Sequence, residues 1–279
     1  MIIERRKIFY IISLILIVPG IISLFINGLN LGIDFRGGSI VNVRMAAEVS
    51  APEVREALAT VGLEQAEVQK SADNTYFIRT SELDQEQTKA LLNALKNRFG
   101  EVELMSAESV GATIGRELSR NALLALGLGL VLMLIYISFR FEWTFGVAAV
   151  AALVHNVLVV VGAFSIFQWE INTPFIASIL TVVGFTINDT IVVFDRVREN
   201  LRGTKRPDYL ALLNKSILQV LNRSINTVLT AVITLLALLI LGGATIKFFV
   251  VAMLIGFVVG AYTSICIASP LWYEIKKAA

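Results

Sequence analysis

Long apolar runs, separated by short polar breaks and one long mixed segment, dominate the pattern of this chain. A bilayer's hydrocarbon core is about 30 Å thick, and a helix needs roughly 20 apolar residues to cross it. Residues 8–26, 121–139, 143–169, 224–241 and 248–271 carry no charged side chain, and 174–194 is interrupted only by Asp189. These windows predict six transmembrane helices. Pro19 and Gly20 fall inside the first, where a membrane helix tolerates them better than a soluble one. That run is longer than the roughly 7–15 residues of a signal-peptide core, and no small-x-small cleavage site follows it. It is therefore expected to be retained.

Between the first and second windows the period changes. Gly37-Gly38 opens an alternating run from Ser39 to Met45, which predicts a strand. Ser50, with Glu53 three residues on, forms a capping-box pattern ahead of Val54, Ala57, Leu58 and Val61, a short amphipathic helix stopped at Gly62. Residues 66–70 and 75–80 read as strands joined by a turn at Asp73-Asn74. A second helix places Leu91, Leu92 and Leu95 inward and stops at Gly100, and residues 101–105 make a last strand. The order βαββαβ is the split-βαβ, ferredoxin-like pattern. The expected architecture is thus a polytopic α-helical membrane protein with an α+β ferredoxin-like extracytoplasmic domain between its first two helices. The expected divisions are 1–29, the N-terminus and first span; 30–117, the external domain; and 118–279, a bundle of the other spans with a basic segment at 196–223.

Composition sharpens this picture. Of 279 residues, 56% are hydrophobic and 16% charged, against about 45–50% and about 25% in soluble domains; mean hydropathy is +0.74. A soluble enzyme, a disordered chain and a nucleic-acid binder are excluded. One cysteine, Cys266, and one histidine, His155, leave no disulfide framework, thiolate cluster or His-rich metal site. No GxxxxGK[ST] loop is present, so no nucleotide chemistry is expected. The external segment 30–116 holds 13 acidic and 9 basic residues, whereas the rest holds 9 and 15. Arg5, Arg6 and Lys7, Arg140, the seven basic residues of 196–223, and Lys276 and Lys277 all fall on one side of a six-span chain. The positive-inside rule makes that side, and both termini, cytoplasmic.

Polar residues within the spans are the candidate chemistry. A carboxylate in hydrocarbon costs about 2.5–3.5 kcal/mol on insertion scales, so such residues are rare and usually functional. Asp189 lies about five residues, roughly 8 Å, from the cytoplasmic end of its span, with Thr186, Asn188 and Thr190 around it. In the fifth span Arg223, Thr227, Thr230 and Thr234 are spaced to share one helical face, with Asn226 beside it. A hydrated seam between the two helices would set the carboxylate of Asp189 opposite the guanidinium of Arg223. Desolvation and a nearby arginine act on a carboxyl in opposite senses, so such a group can change protonation as water access or helix spacing changes. Each charge crossing the membrane yields about 2.3 kcal/mol per 100 mV, enough to do work without nucleotide. The alternative is a static ion pair that fixes helix register. His155, next to Asn156 in the third span, fits either proton movement or a helix–helix hydrogen bond. Gly256, Gly260 and Ser264 follow the small-xxx-small packing pattern.

Two strings carry a family resemblance. LGIDFRGG, residues 31–38, and GFTINDTIVVFDRVREN, residues 184–200, resemble signatures of the SecF family of the bacterial Sec protein-export machinery. IDFRGG alone fits the sister SecD family too, whose fourth-span motif differs. The resemblance covers nearly the whole chain. It implies a subunit of the RND superfamily, without cofactor, that pairs with SecD as a heterodimer, associates with the SecYEG channel and a YidC-type insertase in the lipid membrane, and pulls unfolded exported polypeptide outward with proton or sodium flow. It implies that Asp189 and Arg223 handle the ion, with Asn188, Thr227 and Thr230 beside them and His155 as an auxiliary. One position departs: relatives often carry His-Asp where this chain has His155-Asn156. Asp34, Phe35, Gly37 and Gly38 fit a sharp structural turn or a hinge for the external domain. The rival from another class is an RND-type exporter of small molecules or lipids.

Overall fold

The structure, a computed structural model, describes residues 2–71, 74–202, 207–243 and 246–278. Asp73 of the expected turn, and Lys205 and Arg206 of the basic segment, lie outside the described residues. Along the chain run α1 (Arg6–Ile26), α2 (Ile33–Arg36), β1 (Gly38–Met45), α3 (Ala51–Ala59), β2 (Glu67–Lys70), β3 (Thr75–Thr80), α4 (Gln85–Phe99) and β4 (Val102–Val110). Then follow α5 (Ala112–Arg140), α6 (Trp143–Phe167), α7 (Thr173–Leu201), α8 (Tyr209–Leu241), α9 (Lys247–Thr263), a π-helical turn (Ser264–Ala268) and α10 (Ser269–Ala278). The chain divides into two compact units, Leu31–Ala122 and the remainder, Met1–Asn30 with Leu123–Ala279.

The smaller unit is an antiparallel sheet in the order β2-β3-β1-β4, with α3 and α4 packed together. Alternation places Val41, Val43 and Met45 of β1 and Tyr76 and Ile78 of β3 in its core, against Val54, Ala57 and Leu58 of α3 and Leu91 and Leu95 of α4. Ser50 and Glu53 form the capping box at the start of α3, and Asp84 with Gln87 does the same for α4. Tyr76 pins the loop before α3: its hydroxyl donates to the Val49 carbonyl (2.5 Å) and accepts from the Val49 amide (2.9 Å). The last strand runs to Val110, further than its alternation predicts, because β1 offers it a partner along its whole length, from Met45↔Val102 to Gly38↔Val110. Gly37 and Gly38 turn the chain from α2 into β1 at φ values of 78° and 129°, open to glycine and strained for other residues.

The larger unit is helical. Six helices, counting α9 to α10 as one, are long and apolar enough to cross a membrane. α6, α7 and α9 form its centre, α1 packs on α6, and α8 packs on α7 and α9. α1 and α6 meet at glycines: a Cβ on Gly20 would stand 2.8 Å from the Gly162 Cα. Large apolar side chains of α1, α5 and α8 face outward, among them Ile15, Leu128 and Leu229, as in a helix facing lipid or another membrane protein. α8 starts well before its apolar window, because Asp208 caps it by accepting from the Leu210 and Ala211 amides. The amides of Ile2 and Ile3 donate to Asn214 Oδ1, and Arg6 pairs with Glu274 at 2.5 Å. These contacts tie the start of the chain to α8 and α10.

Candidate functional site

The helical centre encloses a polar cluster drawn from α6, α7, α8 and the π turn. Asp189 of α7 is 7% exposed. Its Oδ1 accepts a 2.6 Å hydrogen bond from the Ser224 hydroxyl of α8, while its buried Oδ2 has no hydrogen-bond partner. One turn earlier on α7, the Thr186 hydroxyl oxygen stands 2.8 Å from Asn156 Nδ2, which donates to it and, at 3.1 Å, to the Gly256 carbonyl of α9. Thr190 donates to the Thr186 carbonyl (3.0 Å), and its oxygen lies 2.9 Å from Ser264 Oγ. Close helix approach makes the cluster possible. Gly256 faces Val182, and Gly260 faces Thr186 and Asn156, so larger residues there would separate α9 from α7.

His155 adjoins the cluster from α6. Its Nδ1 is 3.4 Å from the Thr263 hydroxyl, which donates its proton to the Val259 carbonyl at 2.6 Å. Thr263 is thus an acceptor toward the ring, which assigns the proton to Nδ1 and leaves Nε2 as a bare acceptor. That Nε2 is buried and unpartnered, and so is Asn156 Oδ1. A buried polar atom without a partner costs about 1–3 kcal/mol, and such atoms at His155, Asn156 and Asp189 in one bundle mark a region kept polar against stability. Among the described residues no group of His, Cys, Asp and Glu could hold a metal ion. The chemistry available is that of a carboxyl with hydroxyl and amide neighbours, suited to holding and releasing a proton or a small cation.

The sequence-predicted residues divide between two faces. Asp189, Thr186 and Thr190 are buried together, with His155 and Asn156 close by. Arg223, Thr227, Thr230 and Thr234 do share one face of α8, but that face is exposed. Arg223 acts on Asp189 through space, and no ion pair joins them among the described residues. The stripe hydroxyls are turned back on their own helix, Thr227 to the Arg223 carbonyl at 2.9 Å and Thr230 to the Thr227 carbonyl at 2.9 Å. Asn188 is also exposed. Consecutive helical residues are rotated by about 100°, so the neighbour of Arg223, Ser224, meets the carboxylate instead. The row that leads inward is Leu213, Ile217, Val220 and Ser224, and its spacing of four, three and four is the signal that identifies Ser224. For Ser264 the local pattern speaks only of packing, since its role depends on the π turn. In the smaller unit Phe35 is buried in α2, and Gly37 and Gly38 form the turn beyond it.

Comparisons with known proteins converge. Residues 90–278 match the family described as "Protein export membrane protein SecD/SecF, C-terminal", and residues 22–49 match the "SecD/SecF GG Motif". The chain is 43% identical to "Protein translocase subunit SecF" of Sebaldella termitidis, over 98% of this chain and 91% of that protein. It is 38% identical to "Protein translocase subunit SecDF" of Bacillus subtilis, over 98% of this chain but 38% of that longer protein. The crystal structure of SecDF from Thermus thermophilus superposes with a TM-score of 0.90 at 35% identity, covering 99% of this chain and 38% of the other.

Proposed function

Because the chain belongs to the SecD/SecF family of protein-export membrane proteins, as a SecF-type subunit, we propose that it couples ion flow through the Asp189 site to movement of its external unit, which draws secreted polypeptide outward. The external unit is read here as a split-βαβ, ferredoxin-like domain, on the strength of its βαββαβ order and β2-β3-β1-β4 sheet. The observation that carries the coupling is Asp189 itself. It is a buried carboxyl with one oxygen held by Ser224 and the other unpartnered, at a helix crossing lined with hydroxyls. A group so placed exchanges a proton, or releases a sodium ion, whenever neighbouring helices move and change its access to water. The work comes from the membrane gradient, with no nucleotide hydrolysed by this chain.

The exposed stripe of α8 fits the same reading. A row of Arg223, Thr227, Thr230 and Thr234 facing hydrocarbon is costly unless another protein covers it. A SecD-type partner, fused to the SecF part in the SecDF relatives, is the proposed cover, and it would bring Arg223 out of lipid and beside the coupling site. Association with a SecYEG channel and a YidC-type insertase, a bacterial plasma-membrane location and cytoplasmic termini complete the proposal, the last resting on the distribution of Lys and Arg.

The test is export into sealed vesicles carrying the full complex, with proton and sodium gradients imposed separately. Asp189→Asn and Arg223→Ala are each expected to abolish the gradient-dependent component while the subunit still inserts and pairs. Undiminished gradient-driven export in both variants would refute the coupling. The gradient that drives the wild type identifies the ion.

A further inference from the structure

The π turn places one hydroxyl where several acceptors compete for it. Ser264 is fully buried. Its Oγ lies 2.9 Å from Thr190 Oγ1 and 3.3 Å from the Thr186 carbonyl, and it also reaches the carboxyl of Asp189. Thr190 has spent its own proton on the Thr186 carbonyl at 3.0 Å, so it presents only lone pairs to Ser264. Ser224 supplies one carboxylate oxygen, and Oδ2 has no donor. A serine hydroxyl carries a single proton, so whatever Ser264 gives to Asp189 it withdraws from the Thr186–Thr190 pair.

The wider turn explains why this serine is available. α9 approaches α7 through Gly256 and Gly260, four residues apart, and Ser264 continues that row. Over Ser264–Ala268 the helix then loosens into π geometry, and the Ser269 hydroxyl closes on the Ser264 carbonyl, 3.4 Å away and five residues on. π-helical insertions of this kind concentrate at functional sites. Beyond the turn, α10 is anchored by Trp272, fully buried, stacked on Phe145 and donating from Nε1 to Thr144 Oγ1 at 3.2 Å. The π turn is therefore the compliant joint between a helix packed on Asp189 and one anchored to the start of α6.

We propose that Ser264 is a positioning residue whose hydroxyl donates to Asp189 when the carboxyl is charged and returns to Thr190 and the Thr186 carbonyl when it is neutral, so that the π turn registers the charge state of the site. Charge-assisted hydrogen bonds are roughly twice as strong as neutral ones, which gives the switch its direction. The other charged or titratable groups around it are Arg223, acting from the exposed side of α8, and His155, held through the adjacent Thr263. The inference rests on the ion-coupling reading of Asp189, and its test separates the two.

The measurement is infrared difference spectroscopy on the full complex, with the Asp189 bands identified by their loss in Asp189→Asn. In Ser264→Ala the carboxylate stretching bands of Asp189 are expected to shift, and gradient-driven export to fall several-fold with insertion and pairing unchanged. Ser264→Cys, of similar shape but a weaker donor, is expected to lie between serine and alanine in both readouts, and it takes the place of the alanine variant if that one does not accumulate. Unmoved bands in both variants overturn the switch, and so does a shifted band with full export. If Asp189→Asn loses gradient-driven export while the Ser264 variants leave the bands unmoved, the switch falls and the coupling reading stands. If Asp189→Asn exports normally, the coupling reading falls and the switch falls with it.

Discussion

Gly38 shows how much a single position can impose on this chain. Its φ of 129° is strained for any L side chain, and a Cβ there would stand 2.6 Å from the Thr80 carbonyl oxygen across the β1–β3 pair. Gly38→Ala is therefore expected to destabilise the smaller unit by about 1–3 kcal/mol, the usual cost of a residue held in a sparsely populated backbone region. Hydrogen exchange at the β1 and β3 amides of the intact chain would report it, and unchanged protection would count against the steric argument. The special backbone at this position was legible in the paired glycines. The identity of the atom they avoid was not, because Thr80 lies in a strand whose register only pairing defines. Ser224 teaches a related lesson. A polar stripe at helical spacing drew attention to Arg223 and Thr227, whereas the apolar row Leu213, Ile217 and Val220 pointed one residue further round, to the hydroxyl that reaches Asp189.

Elements of the smaller unit carry local signals that the structure realises in detail. α3 begins where Ser50 and Glu53 can cap each other, and hydrogen bonds from the Ser50 side chain and backbone hold the Glu53 carboxyl below the usual carboxylate range. Glu48 is lowered too, first by its hydrogen bond from Lys70, whose own pKa the same contact raises. The sign follows from proton linkage. A carboxyl lowered on folding stabilises the fold above its unfolded pKa, and the contribution disappears as pH falls through its folded value. The raised Lys70 contributes below its unfolded pKa and loses that contribution as pH rises through its folded one. The unit is thus expected to keep both contributions around neutrality and to open more readily on acidification into the carboxylate range. Glu53→Gln, which preserves the cap but cannot titrate, flattens that acid slope. Thermal unfolding against pH at low and high salt checks it; all three groups are exposed, so the slopes are small and salt weakens the Glu48–Lys70 part. A slope identical in wild type and Glu53→Gln would remove the carboxyl from the account.

Across the whole molecule, the distribution of polarity argues for a partner. α6, α7 and α9 bury the cluster around Asp189, while α8 shows Arg223, Thr227, Thr230 and Thr234 outward. Replacing Thr227, Thr230 and Thr234 together by leucine should leave the chain folded in the membrane, since these side chains hydrogen-bond only within α8. It should weaken copurification with a SecD-type partner; wild-type recovery of the complex would place the interface elsewhere.

The sequence alone determined which segments are helices in an apolar medium, where the mixed segment interrupts them, and that Asp189 is the exceptional residue among the spans. Such conclusions need only the period and polarity of neighbouring residues, which local sequence contains. Tertiary structure decided what Asp189 touches. Ser224 lies 35 residues from Asp189, and Asn156 lies 30 residues from Thr186. Ser264 faces its acceptors from a turn whose π geometry no local pattern announces. Helix phase at a crossing depends on how closely two backbones approach, at Gly20 and Gly162 as at Gly256 and Val182, and that distance is a property of pairs of helices that no single segment encodes.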